Sequence, residues 1–219
     1  MNVSGGIGNI KVVSYSGALD EDYWVYMDIT EGSYGGRYGK DGMDGVDTLY
    51  ANTRNNPIED IEAHLPLRVT RYELIEDASG AGKWRGGLGS IRDVQFLSPG
   101  QMSLEGEGNK YAPWGIFGGE DGTPGGVEIF NPNDENEVQI LPSKFPCRKT
   151  KPGDTLRTIS PCGGGYGNPL ERESAMVLED VLDEFLTIES AKRDYSVEID
   201  PVTFKVDEDA TKSLRRMRH

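Results

Sequence analysis

The stretch Leu65-Pro-Leu-Arg-Val-Thr-Arg-Tyr-Glu-Leu-Ile75, with Gly80-Ala-Gly-Lys-Trp-Arg-Gly-Gly-Leu-Gly89 and Ser90-Ile-Arg-Asp-Val-Gln-Phe-Leu97 behind it, decides how this chain is read. Two runs rich in β-branched and aromatic residues flank a block of glycines. In the first run Val69, Arg71 and Glu73 alternate with Arg68, Thr70 and Tyr72, the period of a strand. Glycine adopts backbone conformations closed to other residues and admits a second backbone at close range. The block is therefore either a fixed turn between strands or backbone that wraps a ligand.

The same punctuation recurs along the chain, at Gly35-Gly36, Gly118-Gly119, Gly125-Gly126 and Gly163-Gly164-Gly165-Tyr166-Gly167. With 29 glycines in 219 residues, usage is roughly twice the ordinary level. Further strands are predicted at Tyr23–Ile29, Gln101–Glu107, Val127–Phe130, Glu137–Ile140 and Thr155–Ser160. Each is bounded by Gly, Pro, Asn or Asp, the residues that make turns. Pro57 suits the first turn of a short helix running through Glu62. After Pro169 the pattern changes: Ala175, Leu178, Val181, Leu182 and Phe185 share one helical face, with acidic residues opposite. Thr187 is placed to cap a second helix, and Val197–Ile199 with Thr203–Val206 reads as a small hairpin.

The expected fold is α+β, mainly antiparallel β, with a sandwich or barrel-like body and a C-terminal helical hairpin. The expected divisions are a loose segment over 1–22, a β-rich body over 23–168, the helical hairpin over 169–196, and a terminal hairpin with a fraying basic tail over 197–219.

The net charge of −14 argues against nucleic acid and anionic membranes as partners. No apolar run reaches membrane-spanning length and no signal-peptide pattern opens the chain, so a cytoplasmic location is expected. Cys147 and Cys162 lack metal-ligand spacing and read as free thiols. Two histidines leave too few for a zinc site or a Ser-His-Asp triad built from this chain alone.

Several groups could still carry chemistry. The glycine loop at 163–167 lies between a predicted strand and a predicted helix, where such loops cradle phosphate, but it lacks the Lys-Ser/Thr of a P-loop. A tight strand-to-helix connection is the alternative. Lys83 and Arg85 could meet an anion or stand solvated. Asp41, Asp44 and Asp47 fall at three-residue spacing without the ligand pattern of a calcium loop. Glu59 and Glu62 share a helix face that could hold a cation, place a general base or simply face water.

Together these segments resemble the hydantoinase B/oxoprolinase family. The resemblance is carried by Asn52-Thr-Arg-Asn-Asn-Pro-Ile-Glu59-Asp-Ile-Glu62, Leu65 to Leu74, and Ser79 to Gly89. It continues through Pro113-Trp-Gly-Ile-Phe-Gly-Gly-Glu-Asp-Gly-Thr-Pro-Gly125, Leu141-Pro-Ser-Lys144 and Pro161 to Pro169. These run in family order over roughly Tyr23 to Val197. The resemblance implies a subunit of an ATP-dependent enzyme acting on a phosphorylated amide or enol intermediate. Cyclic-amide hydrolysis of the hydantoin or lactam type is the first expectation. A subunit of an acetone- or acetophenone-type ketone carboxylase is the alternative, and a non-catalytic assembly subunit a second one.

Members of the B type are more than twice this length and carry their metal site in an N-terminal half that this sequence does not match. The implied partners are an A-type ATP-binding subunit and a companion chain bearing that half. ATP and Mg are expected on the A-type partner and a divalent metal (Mn, Zn or Fe) on the companion, with none bound by this chain alone. Asn52, Asn55, Glu59, Arg68, Arg85 and the loop glycines Gly163, Gly164, Gly165 and Gly167 are the candidates for touching substrate or phosphate.

Overall fold

The computed structural model describes residues 10–19, 22–47, 53–133 and 138–218. Two antiparallel sheets make up the body. The first carries β1 (Lys11–Leu19), β2 (Asp22–Thr30), β5 (Gly100–Gly106) and β8 (Lys144–Thr150) in the order β2-β1-β5-β8. The second carries β3 (Leu67–Leu74), β4 (Ser90–Phe96), β6 (Gly126–Phe130), β7 (Gln139–Ile140) and β9 (Thr155–Ile159) in the order β3-β4-β9-β6-β7. The expected α+β class with a mainly antiparallel body is thus the observed one.

The sheets meet face to face, because strand side chains alternate and each sheet buries one apolar face. Val13, Tyr15, Met102 and Leu104 from the first sheet pack with Leu67, Val94, Phe96, Val127, Ile129 and Leu156 from the second. Tyr15 bridges the layers, its ring 5.8 Å from that of Phe96. The short helix α1 (Ile58–His64) plugs this core with Ile61. At the polar end of the sandwich the hydroxyls of Thr30 and Thr158 lie 3.0 Å apart and tie β2 to β9.

A second apolar cluster lies under the helices α2 (Ser174–Leu182) and α3 (Ile188–Tyr195), where Val177, Val181, Leu186, Ala191, Tyr195 and Val197 pack on Ala81 of the glycine block. Thr187 caps α3 as expected, its hydroxyl accepting from Ser190 N at 3.1 Å. β10 (Ile199–Asp200) and β11 (Lys205–Val206) form the small terminal hairpin.

Two expectations are corrected, and one strand is added to the expected set. Residues 11–19, expected within a loose segment, are β1, paired on both sides by β2 and β5. Their inward positions are Lys11, Val13 and Tyr15 and their outward ones Val12, Ser14 and Ser16, so the alternation is blurred at its start by a lysine facing in and a valine facing out. Residues 144–150 are an edge strand, β8, hidden in sequence by Pro146 and by its charges. The basic tail is a helix, α4 (Glu208–Arg218), with acids in its first turn and arginines in its last, complementing the helix dipole.

Candidate functional site

Two polar regions flank the sandwich, and the candidate residues divide between them. In the first, the glycine blocks stack backbone against backbone. Gly163 N donates to Gly87 O at 2.8 Å, Gly165 N to Glu120 O at 2.8 Å, Tyr166 N to Trp84 O at 2.8 Å and Gly167 N to Ile116 O at 3.0 Å. Gly164 O accepts from Gly36 N at 2.9 Å. A Cβ on Gly86 would fall 1.8 Å from Gly163 O, and one on Gly163 would fall 2.3 Å from Tyr34 O. These four amides of the 163–167 loop therefore face carbonyls of neighbouring loops, and at Gly163 and Gly165 only glycine permits that spacing.

Charge closes the same region. Arg85, which is buried, donates from Nε to Asp180 at 2.9 Å and from Nη1 and Nη2 to Asp44 at 2.8 and 3.1 Å. Arg172 grips Asp41 at 2.7 and 2.9 Å and reaches Asp180 at 2.7 Å. Burial pushes the Asp180 carboxyl up from its ordinary range while both arginines pull it back. Asp41 also accepts from Arg85 N, and Asp44 from Leu88 N. Two of the three spaced aspartates, Asp41 and Asp44, thus bind arginines, and Arg85 is the clamp between the glycine loops and α2.

The second region is a cleft of about 390 Å³ lined by Tyr26, Met27, Asp28, Ile29, Glu31 and the segment Thr53 to Asn56. The parity of β2 points Trp24, Tyr26, Asp28 and Thr30 toward the core side, so a carboxylate is carried inward at the strand's end. Asp28 pairs with Nη1 of Arg92 at 2.8 Å, and Arg92 lies 5.0 Å from the centre of the Tyr72 ring. Glu31, 5% exposed, accepts from Tyr72 Oη at 2.8 Å. With its nitrogen toward Glu31 the Asn55 amide donates to that carboxylate and turns its oxygen to the same hydroxyl at 2.6 Å, so the single Tyr72 proton has Glu31 and Asn55 as alternative acceptors. Asp47 fixes the start of the segment by accepting from Thr53 N at 2.7 Å.

Burial raises the Asp28 and Glu31 carboxyls above the usual range, opposed at Asp28 chiefly by Arg92 and at Glu31 chiefly by the Tyr72 hydrogen bond. The Tyr72 phenol is pushed up to about 12 by burial and by Glu31. Such an arrangement of cavity, converging polar groups and shifted carboxyls can accept N–H donors and exchange protons with them.

Of the sequence candidates, Asn55 lines the cleft and Asn52 lies outside the described residues. Glu59 on α1 and Arg68 on β3 are exposed and do not line it. Arg85 and the loop glycines belong to the other region. Tyr26, Asp28, Glu31, Tyr72 and Arg92 are not among the sequence candidates; the signal available was an acid at an inward position of an aromatic strand. Cys147 and Cys162 are free thiols, the first exposed and the second buried. Among the described residues no three His, Cys, Asp or Glu side chains form a metal-holding group, and no helix is long and apolar enough to cross a membrane.

Comparison with known proteins gives a consistent picture. The family model for hydantoinase B/oxoprolinase matches residues 2–169. The B-type subunit of a putative D-/L-hydantoinase from Pseudomonas sp. (strain NS671) is 59% identical over 215 residues, covering 98% of this chain and 36% of that protein. The acetophenone carboxylase delta subunit of Aromatoleum aromaticum is 30% identical over 233 residues, 93% of this chain and 34% of its own length. Among solved structures, the ATP-dependent caprolactamase of Pseudomonas jessenii superposes with a TM-score of 0.81 at 23% identity, covering 98% of this chain and 38% of that one. The chain spans about a third of the length of these curated relatives.

Proposed function

The chain belongs to the hydantoinase B/oxoprolinase family, and on that premise we propose that it is a small subunit of a heteromeric, ATP-dependent enzyme hydrolysing a cyclic amide of the hydantoin or lactam type. The observation that carries this reading is the 59% identity to the B-type hydantoinase polypeptide over 98% of the chain. In the proposal an A-type partner holds ATP and Mg, and a companion polypeptide, equivalent to the rest of the B-type component, holds a divalent metal (Mn, Zn or Fe). The described residues offer no set that fits such a metal.

This chain's contribution is the cleft. Glu31 and Asn55 present an acceptor and an amide to the ring N–H and carbonyl of the substrate, and Tyr72 fixes the Glu31 carboxylate. Phosphorylation of an amide oxygen by the partner makes the carbonyl carbon easier to attack, and oriented donors stabilise the charge that develops. The glycine loop and Arg85 serve the geometry of the scaffold.

The test is turnover by the reconstituted complex. Co-expressed with its two partners, the chain is expected to support ATP-dependent opening of a 5-substituted hydantoin, with no activity in isolation. Hydantoin or lactam hydrolysis by the isolated chain would refute the dependent-subunit reading. Consumption of bicarbonate with a ketone in place of hydantoin opening would establish the carboxylase reading, which the match to the acetophenone carboxylase polypeptide supports.

A further inference from the structure

Between the glycine loops and the solvent lies a group of aromatic side chains that neither the core nor the cleft uses. Tyr38 and Phe117 are 80% and 63% exposed. Their rings flank that of Tyr166, at centroid distances of 6.5 and 5.2 Å. Trp114, 63% exposed, stands on the same loop as Phe117, and its carbonyl is packed against Gly164.

These rings are held on backbone that has little freedom to fold them away. Phe117 sits in the left-handed region at φ 54, followed by Gly118 at φ 91. Ile116 N donates to Gly165 O at 3.0 Å, while Ile116 O accepts from both Gly167 N and Gly119 N. Tyr38 tops a tight turn closed by reciprocal hydrogen bonds of 3.0 Å between Arg37 and Lys40. A non-glycine residue adopts positive φ only where its surroundings enforce it. The loop is thus built to keep the Phe117 ring outward, at the cost of leaving apolar surface in water.

We infer that Tyr38, Phe117 and Tyr166, with Trp114 beside them, are the docking surface for the remainder of the B-type component, a polypeptide with an apolar facing surface. The inference rests on the proposed function for the existence of that partner. Two observations select it. The superposed caprolactamase chain contains this fold as 38% of its length, so the larger part of such a chain lies outside this fold and is available to cover it. The patch itself has the composition of an interface centre: rigid aromatic rings, clustered, on preorganised backbone. The net charge of −14 opposes an anionic membrane or a nucleic acid as the occupant.

The experiment co-expresses this chain with the part of the Pseudomonas B-type hydantoinase polypeptide that lies outside the matched region, together with the A-type subunit. Phe117 or Tyr38 is replaced by the photoreactive p-benzoylphenylalanine, with exposed Val202 of the terminal hairpin as the control position. Crosslinks from positions 117 and 38 to the co-expressed B-type polypeptide, and none from 202, are expected. The double variant Y38S/F117S is expected to weaken co-purification at least tenfold while the melting temperature of the chain stays unchanged. An intact complex with the double variant, or crosslinks from 117 and 38 solely to the A-type subunit, would overturn the inference and leave the proposed function standing. A crosslinked complex without ATP-dependent turnover would overturn the proposed function and leave the docking surface standing. Failure of the unmodified chain to associate with either partner would overturn both.

Discussion

The glycine-threaded end and the cleft both bury an arginine against an aspartate, yet they do opposite things with it. At the glycine end Arg85 and Arg172 share Asp41, Asp44 and Asp180, and the loop amides face carbonyls. At the cleft Arg92 pairs with Asp28, while Glu31 is held by the neutral Tyr72 and Asn55 beside an open volume. A buried charge is costly unless its partners are all in place. On the proposed reading, the region whose aspartates are taken up by arginines serves as scaffold, and the cleft, where a carboxylate is hydrogen-bonded by neutral groups, is where a ligand completes the set.

The sharpest way to break the comparison is to crowd the scaffold. Gly86→Val is expected to abolish soluble expression, or to cost more than about 4 kcal/mol by chemical denaturation, since its Cβ meets Gly163 O at 1.8 Å. A folded variant of parental stability would show that the stacked loops are adjustable. Next, Asp180→Ala removes an acceptor from both Arg85 and Arg172 and is expected to cost about 3–5 kcal/mol. Guanidinium denaturation of the two proteins checks it, and a loss under about 1 kcal/mol would mean that water replaces the carboxylate there.

The cleft should respond in function more than in stability. Glu31→Gln keeps an acceptor for Tyr72 and is expected to change stability at neutral pH by less than about 1 kcal/mol, while lowering turnover of the complex at least tenfold. Its pH behaviour has a definite sign. Because burial raises the folded-state pKa of Glu31, the group contributes stability that is fully present below the ordinary glutamate value and is lost as pH rises through the raised one. The parent chain therefore gains more than Glu31→Gln does on acidification from neutrality toward the ordinary glutamate range, about pH 4–5. Thermal melts across that range check the difference, and parallel profiles would mean Glu31 is not perturbed.

Much of the body is legible in the sequence because its strands bury one face and so alternate. Local pattern alone locates β4, within Ser90–Leu97, and the α3 cap at Thr187. β1 is hidden because its alternation is short: Val13 and Tyr15 face inward between Ser14 and Ser16, but Lys11 occupies the next inward position and Val12 an outward one. The cleft is mostly invisible for a different reason. Glu31, Tyr72 and Arg92 come from β2's end, β3 and β4, and it takes the pairing of β3 with β4 and the packing of one sheet against the other to bring them together. Asn55 is reached through family resemblance, whereas the role of Arg85 cannot be read without its three-dimensional partners.

The stacked glycines also set a dimension. Where loops touch through carbonyl oxygens and would-be Cβ positions alone, as Gly86 does with Gly163 and Gly165 with Ala81, layer thickness is the thickness of bare polypeptide and no side chain is there to trim or pad it. The end of the molecule that carries the helices therefore stands at a spacing from the sandwich that substitution cannot tune by small steps. It behaves as a gauge block, and on the proposed function adjustment to a different substrate falls to the cleft, where side chains still separate the walls.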